Sequence, residues 1–563
     1  MKWRFVAVLI FFLASFLGIW GRLFYWQIVK ADELSAAGQA QYAQHLEIAP
    51  KRGDILASDG FPLATNKLTY LLYADPHSVK DPKSLSDTLS GIFKEDAASY
   101  SAQLSIPDRV WVPLQTSVSQ EVKEQIEKMN LPGIGFEETP QRFYPEASMA
   151  AQLLGFVGKD ENGEDKGYFG IEGYYDRQLR GRIGQVTVIR DAFGRQIFSK
   201  LTGNSGQQNG RSITLNIDRV IQFTLEQKLK SGIDLYGAQS GMAAVMDPKT
   251  GNILAMASFP SFDERFYWQY DSGLYKNPLI TDTYEPGSTF KPLVMSAGLD
   301  ANVITPKTQC TICSGPVTVG DYDIHTWDDK YFPQTTMTDV MQHSDNTGMV
   351  FVSEKLGIDR MLTYLQKFGI WQTTGIDLQG EFSPDLKPKN QWYPIDVATT
   401  SFGQGIAVTP MQLLDGFAAI ANNGARMEPH LVASVQTSDM QTITIPPKKL
   451  DQPISEQTAK VMTEILVNAV NKGEAKWARL KGYRIAGKTG TASIPVNGHY
   501  DATKTIASFI GFAPAEDPKF VMLVVLNKPT TSIYGAETAA PIWFDVARDI
   551  LAHYNIAPTN DDQ

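Results

Sequence analysis

The chain has 563 residues, 43% hydrophobic and 20% charged, with 61 acidic against 51 basic side chains and a net charge of −10. That much apolar material fills at least one large core and excludes a wholly disordered protein; at about 150 residues per domain the length allows several units. The acidic balance contains no Lys/Arg stripe and gives no footprint for nucleic acid, while two cysteines and seven scattered histidines, without an HExxH, point to no metal centre.

Residues 1–4 are a short tail carrying Lys2 and Arg4, and Phe5 to Gly21 then pass without a charge. A helix of that length falls slightly short of the ~30 Å hydrocarbon core. Arg22 can snorkel, and LFYWQIV continues the apolar run, so residues 5–29 are predicted to span a membrane once, with Trp20, Tyr25 and Trp26 at the interface. Where a signal peptide would offer a small-x-small cleavage site, the chain has Gly-Ile-Trp-Gly-Arg and bulky aromatics, which favours an uncleaved anchor. Everything after it is then one ectodomain.

Residues 30–46 read as a polar, Ala-rich helix or stalk. From 47 to 205 short mixed segments alternate with turn signals at RGD (52–54), SDG (58–60), LPG (131–133) and DENGED (160–165), as in an α+β module; VTVIRDAFGRQI (186–197) reads as strand, turn, strand. GNSGQQNGR (203–211) has the composition of a linker. Residues 206–555 read as the second large domain and 556–563 as a fraying tail. A strand and an amphipathic helix opening near Asp218 begin that domain, and GMAAVMD and NILAMAS form a hairpin around PKTG (248–251). RIAGKTGTAS, TIASFIGFAP and KFVMLVVLN supply later strands, with helical stretches between about 286 and 470 and a last helix over 539–554. The predicted fold class is α+β: an antiparallel sheet built from both ends of the domain and flanked by helices from its middle.

Three short motifs follow in one order: Ser288-Thr289-Phe290-Lys291, Ser344-Asp345-Asn346 and Lys488-Thr489-Gly490-Thr491. Each alone is common; the ordered triple is the signature of penicillin-binding proteins and class A β-lactamases. Glu285-Pro286-Gly287 reads as a turn into a helix, with Pro292 in its first turn, so Ser288 and Lys291 share a face. A serine hydroxyl needs a base, and a lysine is one only when neutral. The helix N-terminus and a second cation, Lys488, would both depress the Lys291 pKa. Ser344 would relay a proton between the lysines and the leaving amine, and Asn346 would hold a substrate amide. Thr489 and Thr491 beside Lys488 suit a carboxylate, Gly487 and Gly490 leave the strand open to close approach, and the Ser288 and Thr491 N–H groups suit an oxyanion. The chemistry requires neither metal nor organic cofactor.

The chain resembles the class B penicillin-binding proteins, membrane-anchored monofunctional peptidoglycan transpeptidases. The likeness extends to RGDIL (52–56) with Asp59-Gly60, RFYP (142–145) and GIEGYYDRQLRG (170–181) in an N-terminal pedestal of dimerisation type. In the transpeptidase domain it covers DPKTGNILAMASFPSFD (247–263), YEPGSTFKP (284–292), SDNTG (344–348) and SFGQGIAVTPMQL (401–413). The resemblance implies a catalytic domain outside the plasma membrane and a cytoplasmic N-terminus. It implies cross-linking of stem peptides through an acyl-serine, covalent β-lactam binding, and partnership with a multipass membrane glycosyltransferase and division proteins. YEPGSTFK and SFGQG look closer to the septal branch. A D,D-carboxypeptidase or β-lactamase, and a catalytically silent division scaffold, are the alternatives.

Three other features read more blandly. Cys310-Thr311-Ile312-Cys313 has no second thiol pair and is expected to be a local disulfide or inert thiols. Glu464 and Asn468 copy a lactamase spacing but fall in an apolar-periodic helix too late in the chain. Arg142 and Glu172 are candidates for ion pairs in the pedestal, or for solvated surface charges.

Overall fold

Phe520–Asn527 is apolar at nearly every position because both faces of the strand are covered. In the computed structural model, which describes residues 2–48, 50–106, 109, 111–189, 206–437, 439–496 and 499–558, this strand is the centre of a five-stranded antiparallel sheet. Its order is Ile253–Phe259, Ser240–Met246, Phe520–Asn527, His499–Ala513, Ala486–Val496. Side chains alternate between two cores: Val521, Leu523 and Val525 on one face, Phe520, Met522, Val524 and Leu526 on the other. The second face is closed by Arg219–Tyr236 and Ala539–His553. The first is closed by helices from the middle of the sequence, including Lys291–Asp300, Pro410–Ala421 and Glu456–Lys472. The hairpin, the C-terminal strands and the helix capped by Asp218 all stand where the sequence puts them. Fold class is therefore α+β.

Lys291–Asp300 is buried on all sides through Leu299, as an all-round apolar helix must be. Asn346–Leu356 packs beside it and is buried almost as fully. Cys310 and Cys313 are joined by a disulfide and are both buried.

A second, seven-stranded sheet runs in the order Thr442–Thr444, Val432–Gln436, Ser212–Leu215, Ile55–Leu56, Pro62–Ala74, Val112–Val118, with Ile134–Phe143 also paired to Pro62–Ala74. Three helices, Pro82–Phe93, Ala97–Leu104 and Gln120–Lys128, give its outer end a small core around Leu72, Leu89, Tyr100 and Ile126. Near the inner end Glu172 is wholly buried between two arginines: Arg52 Nη2 lies 2.6 Å from Oε2 and Arg142 Nε lies 2.6 Å from Oε1. Arg52 also reaches Asp176 at 2.8 Å. The RGD and RFYP segments thus meet GIEGYYDR through one ion network, and these charges are structural rather than solvated.

Residues 1–51 and 181–210 form a separate unit. Lys2–Phe24 is helical and continues as a wider, π-type turn over Tyr25–Val29. This 28-residue stretch is long and apolar enough to cross a membrane, and none of its most apolar window is buried in protein. Ala31–Tyr42 is helical as predicted, but the expected stalk ends there: Ala43–Ile48 is a strand, antiparallel to Gly184–Ile189. Of the predicted strand-turn-strand at 186–197, only the first strand lies within the described residues. The linker composition at 203–211 also misleads at Gln208, which exchanges backbone hydrogen bonds with Arg182.

Candidate active site

Ser288 sits in a single helical turn, Gly287–Thr289, immediately before the buried helix that starts at Lys291. Gly287 takes φ +56°, and a Cβ there would lie 3.1 Å from both the Thr491 carbonyl oxygen and the Ala492 methyl. Its N–H donates to the Gly403 carbonyl at 3.0 Å, so the SFGQG segment fixes the turn from the other side. Thr289 Oγ1 donates to the Pro286 carbonyl at 2.7 Å. Ser288 is left half-buried on the floor of a cleft of about 750 Å³, shared with Ser344, Asn346, Thr489 and Thr491.

Lys291 is fully buried, and its Nζ has three acceptors: the Ser344 carbonyl at 2.5 Å, Asn346 Oδ1 at 2.8 Å and Ser344 Oγ at 3.3 Å. The Ser344 hydroxyl then donates to Ser288 Oγ at 2.9 Å. The lysine and the serine are therefore linked through Ser344. Burial above all, then the nearby Lys488 charge, pushes the Lys291 pKa down to about 7, against the opposing pull of Asp345 and Glu474. A neutral amine keeps two N–H bonds for the two shorter contacts, and its lone pair accepts from Ser344 Oγ only once that hydroxyl turns from Ser288. The spacing predicts Ser288 and Lys291 on one helical face within mutual reach; in the structure Ser288 lies in the turn before the helix and is connected to Lys291 through Ser344. Desolvation, rather than the helix terminus or the second cation, is the main cause of the depressed pKa.

Ser344 carries a left-handed backbone, φ +56°, which costs about 1–2 kcal/mol in a non-glycine residue. That geometry aims both its carbonyl and its hydroxyl at Lys291. Asp345 then caps the next helix, its Oδ1 accepting from the N–H groups of Thr347 and Gly348. Asn346 bridges Lys291 to the His325 carbonyl, to which its Nδ2 donates at 2.9 Å. Its amide was expected to meet substrate; in the resting site both ends are taken by the protein.

Lys488, Thr489, Gly490 and Thr491 lie on the edge strand of the five-stranded sheet, where a peptide can add as a further strand. Lys488 is 3% exposed, and its Nζ donates to Thr489 Oγ1 at 2.9 Å. A Cβ on Gly490 would lie 2.8 Å from Thr289 Cγ2 and 2.4 Å from Ser508 Oγ. The close approach that Gly490 permits is therefore by the protein's own Ser288 turn. Sequence reasoning missed Glu474, whose Oε2 accepts from Thr489 Oγ1 at 2.6 Å. Glu474 lies in no motif and enters the cleft only because the helix Glu456–Lys472 stops at Gly473. By contrast Glu464 is engaged by Arg484 at 2.8 Å and Asn468 by Gln342 at 3.0 Å, so that pair is not a lactamase water site.

Residues 241–552 match the family described as the penicillin binding protein transpeptidase domain, and 47–215 match the penicillin-binding protein dimerisation domain. Stage V sporulation protein D of Bacillus subtilis is 33% identical, with 99% of this chain and 86% of the relative covered. Peptidoglycan D,D-transpeptidase FtsI of Escherichia coli is 29% identical, covering 99% of this chain and 93% of its own. Among solved structures, penicillin binding protein 2X of Streptococcus thermophilus shares the fold with a TM-score of 0.76 at 24% identity, over 91% of this chain and 80% of that one. A peptidoglycan synthetase from Bifidobacterium adolescentis gives a TM-score of 0.74 at 26% identity, over 92% and 98%. With both domain matches in order along the chain and a full-length relative at this identity, the protein belongs to the class B penicillin-binding proteins, enzymes built around a serine-type transpeptidase domain.

Proposed function

We propose that the protein is a peptidoglycan D,D-transpeptidase that cross-links stem peptides through an acyl-enzyme on Ser288 during septal wall synthesis. The observation that carries this reading is the hydrogen-bonded chain from Lys291 through Ser344 to Ser288 on the floor of an open cleft. Ser288 Oγ attacks the carbonyl of the penultimate D-Ala of a donor stem. Its proton passes by rotation of the two hydroxyls through Ser344 to neutral Lys291, and the Ser288 and Thr491 N–H groups hold the oxyanion. The C–N bond then breaks, the proton returns through Ser344 to the departing amine, and D-Ala leaves. An acceptor amine attacks the ester carbonyl and gives up a proton to the Lys291–Ser344 relay, the bond between the acyl carbon and Ser288 Oγ breaks, the proton returns to Ser288 Oγ, and a new amide links two stems. Lys488 supplies positive charge beside Thr489 and Thr491, and Asn346 positions Lys291.

The domain division proposed is a pedestal over 47–205 and a transpeptidase domain over 206–555. The helix Lys2–Val29 anchors the chain with its N-terminus in the cytoplasm and its catalytic domain outside. Likeness to FtsI and the YEPGSTFK and SFGQG segments support the septal assignment. A multipass membrane glycosyltransferase and division proteins complete the machinery.

Intact-protein mass spectrometry of the full chain in detergent, incubated with benzylpenicillin, tests the central step. A lasting one-to-one adduct is expected on the wild type and none on Ser288→Ala. Rapid drug turnover without an adduct would instead indicate a hydrolase, and a folded protein with neither adduct nor turnover would indicate a silent scaffold.

A further inference from the structure

We propose that Glu474 is a specificity-determining residue of this cleft: it holds the Thr489 hydroxyl proton, so that a ligand's carboxylate is received by Thr491 and Lys488 against a like charge. The inference rests on the acyl-serine function proposed above.

Glu474 is half-buried and lines the same cleft as Ser288, Thr489 and Thr491. A threonine hydroxyl has a single proton. That of Thr489 is donated to Glu474 Oε2 at 2.6 Å, while its oxygen accepts from Lys488 Nζ at 2.9 Å. Nothing remains on this side chain for an incoming anion. Thr491 is arranged the other way: its Oγ1 accepts from the Gly535 N–H at 3.1 Å, which leaves its proton to point into the cleft. Of two hydroxyls that look equivalent in Lys-Thr-Gly-Thr, only one is a donor for a carboxylate.

The Glu474 charge also acts on the machinery. It raises the proton affinity of both Lys488 and Lys291, each otherwise lowered chiefly by burial. Removing it has two consequences that can be separated. A more readily neutral Lys291 speeds acylation by every ligand. Loss of like-charge repulsion, together with release of the Thr489 proton, favours only ligands that carry an anion.

The test compares benzylpenicillin, which has a free carboxylate, with its uncharged methyl ester. Acylation rates are read by quenched-flow mass spectrometry on the full chain in detergent. In both reactions Ser288 Oγ bonds to the lactam carbonyl carbon, the lactam C–N bond breaks, and the serine proton ends on the lactam nitrogen. Glu474→Gln is expected to raise the ratio of anion to ester rates about tenfold, as expected for removing one nearby charge in a partly screened site. Glu474→Ala, which leaves Thr489 with no partner at that position, is expected to do the same. An unchanged ratio in both variants, with both ligands faster or slower together, overturns the proposal and leaves the acyl-serine function standing. A lower ratio overturns it as well. No adduct on a folded wild type overturns the function and this proposal with it.

Discussion

Lys291 is buried at the start of a helix whose neighbours are almost entirely apolar, and burial decides its proton state. Its pKa of about 7 places the change from ammonium to amine near neutral pH. Only the amine can take the Ser288 proton, so acylation by benzylpenicillin is expected to rise with pH through about 7 and level off above it. The pH dependence of the acylation rate checks this; a profile flat across that range would remove Lys291 from the role of base. The same shift sets a stability trend. Between about 7 and the unfolded value of 10.5 the unfolded chain binds the extra proton, so this residue's contribution to stability improves as pH rises. Ser288, Lys291, Ser344, Asn346, Lys488, Thr489, Gly490 and Thr491 come together here; spacing within each motif gives the local geometry, and the fold brings the three motifs to one cleft. What was not legible was the assignment of protons among them. Asn346 turns to Lys291 and His325, and Thr489 to Glu474, through contacts between residues far apart in the chain.

Secondary structure was readable wherever pattern and burial agree. Phe520–Asn527 and the Ser240–Met246 hairpin are short apolar runs between turn signals, and Arg219–Tyr236 has its capping aspartate. The strand Ala43–Ile48 was not readable, since AQHLEI has no clear alternation and its partner Gly184–Ile189 lies far along the sequence. Gly490 shows what a strand gains from lacking a side chain. The Ser288 turn and the Lys488 strand touch across it, so Gly490→Ala must displace one from the other. The overlap with Thr289 Cγ2 and Ser508 Oγ can be relieved partly by side-chain movement, which puts the expected cost in the overpacking range of about 1–3 kcal/mol. The acylation rate is expected to fall by about tenfold or more while the protein stays folded, because the displacement moves Thr491 relative to Ser288. Circular dichroism alongside penicillin labelling separates the two effects.

On the scale of the whole molecule, the seven-stranded sheet joins two regions that composition separates. Ile55–Leu56 pairs in parallel with Ser212–Leu215, which pairs in turn with Val432–Gln436. Ser212, directly after the linker-like sequence, therefore already belongs to a sheet shared with the pedestal. Glu172 sits beside that junction, wholly buried between Arg52 and Arg142, while Arg142 Nη1 donates to the Gly53 carbonyl at 2.8 Å. Replacing such a buried partner leaves Arg142 without a carboxylate and Arg52 with Asp176 alone, and the uncompensated charge costs about 3–5 kcal/mol. Glu172→Ala is thus expected to lower the melting temperature by several degrees although it lies outside the catalytic cleft. The continuous sheet predicts more: melting followed by circular dichroism and loss of penicillin labelling followed against temperature should shift together. If labelling survived above the new melting transition, the pedestal would be unfolding by itself, and the ion network would stabilise that region alone. Coincident curves would mean that the buried arginine–glutamate contacts help to hold the penicillin-reactive domain in its folded state.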